Sequence, residues 1–302
     1  MTDAPSDAAP GAGGSGTHDL APDLMTEYLT EEWGYFIRSQ RLFERFRSRF
    51  QEVEVHDSAA FGRLFRLDGH FMTSERDEFF YHENLVHMAG LAHEAPARAL
   101  IVGGGDGGSA EELFKYPTMK SVTLCEIDES VVDISRRYLS AVHRGALDDP
   151  RLSIRIGDGL AFVREDREFY DLIVLDLTDP GGPSTPLYTA DFYRACAARL
   201  AANGAMTLHI ASPVAHPARI REGITNLRAA FAQVTPYLTS IPLYGGMWMM
   251  ACASQTVDPA SFSEQEIDRR IASRRLSHLQ HYNGAMHRAA LALPNFVRDL
   301  VV

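Results

Sequence analysis

The chain has 302 residues, 45% of them hydrophobic and 23% charged, and 29 Lys+Arg against 40 Asp+Glu leave a net charge of −11. That is a folded chain long enough for one large or two unequal domains, and its acidity excludes a protein that binds nucleic acid by neutralising phosphates. No apolar run approaches the ~20 residues of a membrane span, and three widely spaced cysteines (Cys125, Cys196, Cys252) exclude a disulfide framework and a CxxC metal site, which suits the reducing cytoplasm.

In chain order, residues 1–27 are expected to form a disordered tail. Up to about Pro22 they are rich in Ala, Gly, Pro, Ser and Asp, with too few large apolar side chains to offset the entropy of ordering. The first basic residue is Arg38, so the start of the chain lacks the basic region of a secretory leader. Residues 28–77 are expected to form a small antiparallel β domain. Gln51–His56 and Gly62–Leu67 alternate apolar and polar residues, the period of half-buried strands, and Asp68-Gly69 is a hairpin turn.

Residues 78–302 form the third expected unit. Phe79, Leu85, Val86 and Leu91 predict a helix over 78–91. Short apolar strands at 98–102, 121–125, 152–156, 170–175 and 205–209 then alternate with helical segments such as 109–116 and 131–139. That alternation means an α/β fold with a doubly wound, mainly parallel sheet. Residues 237–242 and 247–254 flank Gly245-Gly246 and predict an antiparallel edge hairpin, with Met247, Trp248, Met249 and Met250 as core.

Ligands of such a sheet bind at the carboxyl ends of its strands. Gly103–Gly108 follows the first strand there, and Glu126 ends the second, 20 residues after Asp106. A carboxylate in that place accepts from both hydroxyls of a ribose. The pattern is shared by NAD enzymes and adenosyl-group transferases, and a tight turn without a ligand is the plain alternative. Asp106 separates the classes. A pyrophosphate wants backbone N–H groups and no anion, and a like-charge pair at ~4 Å costs roughly 4 kcal/mol at an effective dielectric of ~20. Asp106 suits a cationic nucleoside instead.

Asp158, in Gly157-Asp-Gly159, is placed to accept from an adenine amine or simply to sit in a turn. Asp176 and Asp179 lie in Asp176-Leu-Thr-Asp-Pro-Gly-Gly-Pro183, where the strand gives way to a loop that could cover the site. Asp106, Glu126, Asp158, Asp176 and Asp179 all fall at strand ends on one edge. No His/Asp spacing defines a metal site, so an organic polycation is the expected guest.

These residues resemble the polyamine aminopropyltransferases, the spermidine synthase family, from about Tyr28 to Leu300. The motifs, in order, are Leu67-Asp-Gly69, Glu75-Arg-Asp-Glu-Phe-Phe-Tyr-His-Glu83, Gly103–Gly108, Glu126-Ile-Asp128, Gly157-Asp-Gly159, Asp176-Leu-Thr-Asp-Pro180, Ile241-Pro-Leu-Tyr-Gly-Gly246 and Tyr282-Asn-Gly-Ala-Met-His-Arg-Ala-Ala290. The resemblance implies a Rossmann-like catalytic domain of the class I methyltransferase type behind a small N-terminal antiparallel β domain, in a homodimer or homotetramer. It implies transfer of the aminopropyl group of decarboxylated S-adenosylmethionine to a di- or polyamine, with methylthioadenosine as by-product. Putrescine is the first candidate acceptor; spermidine, cadaverine and agmatine are the others. The donor is a co-substrate, and no tightly bound cofactor, metal, membrane or nucleic acid is implied.

Position by position, Gln51, His82, Gly103, Asp106, Glu126, Asp158 and Gly159 match donor contacts, Tyr81, Asp179 and Tyr244 match acceptor contacts, and Asp176 matches the residue that takes the proton of the attacking amine. His209 stands where the family usually has glutamine, near the acceptor end, and it is either a packed histidine or a determinant of acceptor choice. Leu177 and Thr178 replace small polar residues of many members. Two other readings stay open: an amine N-methyltransferase on the same fold, and a polyamine-binding protein without turnover.

Overall fold

A computed structural model describes residues 23–302. The expected tail falls outside it up to residue 22. From Leu24 the expectation overshoots: Leu24–Tyr28 is a strand, β1, paired antiparallel with β2 (Gly34–Arg38). Met25 drives this, since it is buried in the main core with Leu29 and Ile37.

The next four strands, β3 (Arg41–Arg47), β4 (Glu52–Ser58), β5 (Gly62–Leu67) and β6 (His70–Ser74), form one antiparallel sheet in sequential order. Asp68 (φ 48°) and Gly69 (φ 84°) join β5 to β6. A two-residue hairpin with positive φ at both positions matches the right-handed twist of its strands. The alternation in β4 does not make it half-buried. Glu54 on its polar face is 2% exposed, because Arg66 donates to one of its oxygens at 2.8 Å and Arg45 to the other at 2.6 Å. The His56 ring, 3.6 Å from Glu54 Oε1, and those two guanidiniums outweigh burial and hold the Glu54 carboxyl at about 2.

Helix α1 (Glu78–Ala92) follows and is buried nearly all round. Its polar residues therefore need partners. Glu83 accepts three backbone N–H groups, from Gln280, His281 and Tyr282, and His87 bonds Tyr116 and Glu112, each at 2.9 Å. These ties fix the roll of α1, and with it the directions of Tyr81 and His82.

The large sheet contains β7 (Arg98–Gly103), β8 (Ser121–Glu126), β9 (Leu152–Ile156), β10 (Tyr170–Asp176), β11 (Leu200–Ala211), β12 (Gln233–Ile241) and β13 (Gly246–Ser254). Their spatial order is β12-β13-β11-β10-β7-β8-β9, parallel except at β13, which runs against both neighbours. Between the strands come α2 (Gly108–Phe114), α3 (Glu129–Tyr138), α4 (Ser140–His143), α5 (Gly159–Glu165), α6 (Ala190–Ala197) and α7 (Pro217–Arg228); α8 (Glu264–Arg274), α9 (Gly284–Ala290) and α10 (Asn295–Arg298) close the chain. Both faces of the sheet are covered. Ile101, Leu124 and Val174 pack toward α1, while Leu100, Ile173 and Phe192 pack on the other side. The strand order reverses between β7 and β10, so the crevice of a doubly wound sheet opens at the carboxyl ends of these two strands.

Candidate active site

At that crevice an open cleft of about 1070 Å³, its solvent-filled mouth included, lies between the large sheet and the β domain. Its floor is the glycine loop. Gly103 (φ 80°) pairs in register with Asp176 on β10, and the Gly104 N–H donates to the Asp176 carbonyl at 2.8 Å. The loop thus lies flat on the end of β10, and only glycine allows this.

Glu126 ends β8, 7% exposed, and accepts from the Asp128 N–H at 2.9 Å. Burial pushes its carboxyl up to about 7, although backbone N–H groups hold it back. Asp158 caps α5 with one oxygen, which accepts from Leu160 N–H at 2.8 Å and Ala161 N–H at 3.4 Å. Its other oxygen makes no such bond, so the turn role and an outward-facing acceptor coexist. Gln51 donates to Asp128 Oδ2 at 3.2 Å from the β-domain side. Gly159 lies against Val102 and leaves no room for a Cβ there.

Asp106 and Asp176 stand at the deep centre. Asp106 accepts from the Gly108 N–H at 3.0 Å. Burial would raise its carboxyl, but the facing His82 ring outweighs burial and holds it below the usual range. Asp176 accepts from the Ser109 hydroxyl at 2.7 Å. Burial and then the charge of Asp106 push Asp176 up, against His82, Ser109 and Tyr81. His82, Asp106 and Asp176 offer ligand atoms within 4.8 Å of one another, a grouping that sequence spacing did not show. The charged form of the His82 ring is favoured well above its ordinary range: burial opposes the charge, and Asp106, then Glu78, overcome burial.

Tyr81, Tyr244 and Trp248 form an aromatic wall. The Tyr81 and Tyr244 rings meet edge to face at 5.7 Å, and Trp248 stands 5.3 Å behind Tyr244. Trp248, Met249 and Met250 are buried in the core, as expected of that strand, whereas Met247, next to the start of β13, is only half-buried. The Tyr244 hydroxyl donates to the Met72 carbonyl.

Gln51, Tyr81, Gly103, Asp106, Glu126, Asp158, Gly159, Asp176 and Tyr244 all line the cleft. His82, Asp179 and His209 do not. His82 is wedged against Gly108 behind the loop. His209 is packed behind Tyr81, whose hydroxyl lies 3.0 Å from Nδ1, and its Nε2–H donates to Asp179 Oδ1 at 3.1 Å. Arg219 donates to the other Asp179 oxygen at 3.4 Å. Four of the five grouped carboxylates therefore share one open cleft, and the fifth is paired beside it. Leu177 and Thr178 also face the cleft.

The sequence reading gave no role to Glu78, Ser109, Tyr188 or Arg219. Glu78 carried a signal, because Glu and His four apart on a helix share a face. Ser109 opens the helix after the glycine loop. The Tyr188 hydroxyl lies 3.2 Å from His209 Nε2, and neither it nor Arg219 had any sequence signature.

Residues 78–264 match the model of the spermine/spermidine synthase domain, and residues 39–75 that of the spermidine synthase tetramerisation domain. The chain is 46% identical over 282 residues to a polyamine aminopropyltransferase of Nitrosomonas europaea, covering 93% of this chain and 87% of that protein. It is 38% identical over 281 residues to polyamine aminopropyltransferase 2 of Hyperthermus butylicus, covering 92% of each. Among solved structures, a spermidine synthase in complex with the transition-state analogue AdoDATO superposes with a TM-score of 0.87 at 33% identity, over 94% of this chain and 95% of that one. The spermidine synthase of Thermotoga maritima gives 0.85 at 33% identity, over 92% and 94%.

Proposed function

The chain belongs to the spermine/spermidine synthase family and is an aminopropyltransferase, and we propose that it moves the aminopropyl group of decarboxylated S-adenosylmethionine to putrescine, giving spermidine and methylthioadenosine. The observation that carries this reading is one cleft lined by Asp106, Glu126, Asp158 and Asp176 with space between them. Glu126 and Asp158 suit the hydroxyls and amine of a nucleoside. Asp106 suits the ammonium of a donor without a carboxylate, which it would repel from intact S-adenosylmethionine.

The acceptor amine titrates near the lysine value of ~10.4 and is protonated at neutral pH. It reacts only as the neutral amine. Its nitrogen attacks the aminopropyl carbon next to sulfur, the C–S bond breaks, and the sulfonium leaves as a neutral thioether. The new C–N bond makes the nitrogen cationic, and Asp176 takes its proton. The Ser109 hydroxyl, 2.7 Å from Asp176 Oδ2, orients that carboxylate. Holding amine and carbon together supplies much of the remaining acceleration, and Tyr81 and Tyr244 give the methylene chain an apolar wall.

We further read the chain as a homotetramer working in the cytoplasm. The match of residues 39–75 to a tetramerisation domain supports assembly; Leu42 within that stretch, and Tyr28, Trp33 and Phe36 ahead of it in the sequence, are exposed apolar side chains. All three cysteines are buried free thiols. Among the described residues no helix is long and apolar enough to cross a membrane.

The test is incubation with decarboxylated S-adenosylmethionine and a panel of amines, followed by mass spectrometry. Methylthioadenosine and spermidine from putrescine are expected. No methylthioadenosine with any amine overturns the reading, and calorimetric preference for the carboxylated donor favours methyl transfer instead.

A further inference from the structure

Behind the acids of the cleft stands the His82 ring, and its support lies outside the cleft. His82 and Glu78 are each 1% exposed, with His82 Nδ1 2.9 Å from Glu78 Oε2. His82 Nε2 points the other way, 3.5 Å from Asp106 Oδ2 and 4.0 Å from Asp176 Oδ2, and makes no hydrogen bond. The ring packs directly on Gly108, in the space a side chain there would take. The second oxygen of Glu78 accepts from Arg144 at 2.7 Å, and Arg144 reaches Glu111 on α2 at 3.3 Å.

We propose that Glu78 is a positioning residue for the aminopropyl transfer: it holds His82 as an imidazolium between Asp106 and Asp176, so that both carboxylates stay ionised together, one free to bind the donor's cation and the other to accept the acceptor's proton. The inference rests on the aminopropyltransferase reading of the cleft.

Two carboxylates beside one buried point cannot both ionise cheaply, and without a cation between them one keeps its proton. The groups facing the His82 ring are Glu78 and, more remotely, Asp77 from α1, Asp106 from the glycine loop and Asp176 from β10. Tyr81 presents only its ring, edge on at 5.2 Å. Arg144, from the turn after α4, and Glu111, from α2, act through Glu78, and His143 acts on Asp106. Anions thus surround the ring on both sides. Loss of the Glu78 charge removes the anion on Nδ1, the ring discharges at lower pH, and the repulsion between Asp106 and Asp176 is no longer opposed. Asp176 then holds its proton to higher pH, where it cannot act as base.

Two readouts test this. Nitrogen NMR of histidine-labelled enzyme, with the His82→Asn variant as assignment, reports the ring itself. A doubly protonated ring at about pH 8 is expected in the wild type and a neutral one in Glu78→Gln. The rate of methylthioadenosine release against pH reports the consequence. Its acidic limb should move up by about one pH unit in Glu78→Gln, with kcat falling more than the donor KM rises. The same substitution should produce no further shift in the His82→Asn background. Where Glu78→Gln fails to fold, Glu78→Asp, which keeps the charge and withdraws it, should give a smaller shift in the same direction. A neutral His82 ring in the wild type, or superimposable pH profiles, overturns the role of Glu78 alone. Wild-type enzyme that releases no methylthioadenosine with any amine overturns the reading of the cleft, and this role with it.

Discussion

The carbonyl oxygen of Asp176 accepts a hydrogen bond from the Gly104 N–H at 2.8 Å, and the same oxygen occupies the space where a side chain on Gly103 would go. The glycine loop and the end of β10 are therefore one unit, and the backbone of the proposed base is fixed by the loop proposed to hold the donor.

Gly103→Ala tests this unit. The left-handed φ of 80° at Gly103 costs a non-glycine residue roughly 1–2 kcal/mol, and the collision with the Asp176 carbonyl adds to it. Thermal unfolding should move several degrees down, and methylthioadenosine binding should weaken along with it. Unchanged melting and binding would show that the loop is not seated on β10.

Asp176→Asn removes the proposed proton acceptor while keeping its shape and its contact with Ser109. Turnover should fall by roughly 10²–10⁴-fold, the usual contribution of a general base. Calorimetry should show donor affinity within a few-fold of wild type. Turnover within a few-fold of wild type would take Asp176 out of that role.

Glu126 predicts a pH dependence of nucleoside binding. Its carboxyl titrates at about 7 in the folded protein because it is buried, above the ~4.3 of a free glutamate. The native state therefore binds the proton more tightly than the unfolded chain. The stability this adds is complete below the unfolded value and is lost as pH rises through about 7. Ribose hydroxyls need the ionised form, so methylthioadenosine affinity should fall as pH drops below 7, with proton release on binding near that pH. Calorimetry in buffers of different ionisation enthalpy measures both. Glu126→Gln should bind weakly at every pH and release no proton.

Arg219→Gln tests the paired state of Asp179. Arg219 and His209 occupy both oxygens of Asp179, so this carboxylate has little free charge to offer an amine. The Arg219–Asp179 pair is partly exposed, with side chains 40% and 36% accessible, so its effect is modest. The variant should lower the KM for polyamine acceptors a few-fold and leave methylthioadenosine binding alone. An unchanged acceptor KM, with the same ranking of diamines and triamines, would separate Asp179 from acceptor binding.

Much of the molecule was legible along the chain. The strands at 98–102 and 121–125 and the turn at Asp68-Gly69 could be read because each is set by its own residues. A buried strand needs a short apolar run, and a two-residue hairpin needs positive φ. Gly103–Gly108, Glu126 and Asp176 could be placed on one edge because a parallel sheet puts every strand's carboxyl end on the same side. The burial of Glu54 was not legible, because its partners Arg45 and Arg66 come from the two neighbouring strands. Strand β1 was missed because two apolar residues in a polar stretch show no period until a partner strand covers them.

The sequence by itself determined the fold class and the acidic edge, which follow from periodicity and from residue types at strand ends, and its motifs carried the resemblance to the family. Only the tertiary structure decided the charge of each group. The charged form of His82 is favoured because Glu78, Asp106 and Asp176 converge on the ring from a helix, a loop and a strand. Asp179 is paired because Arg219 arrives from α7. Glu126 is raised because the chain closes over it. A side chain's charge depends on what surrounds it within a few ångströms, and those neighbours are far apart in the sequence.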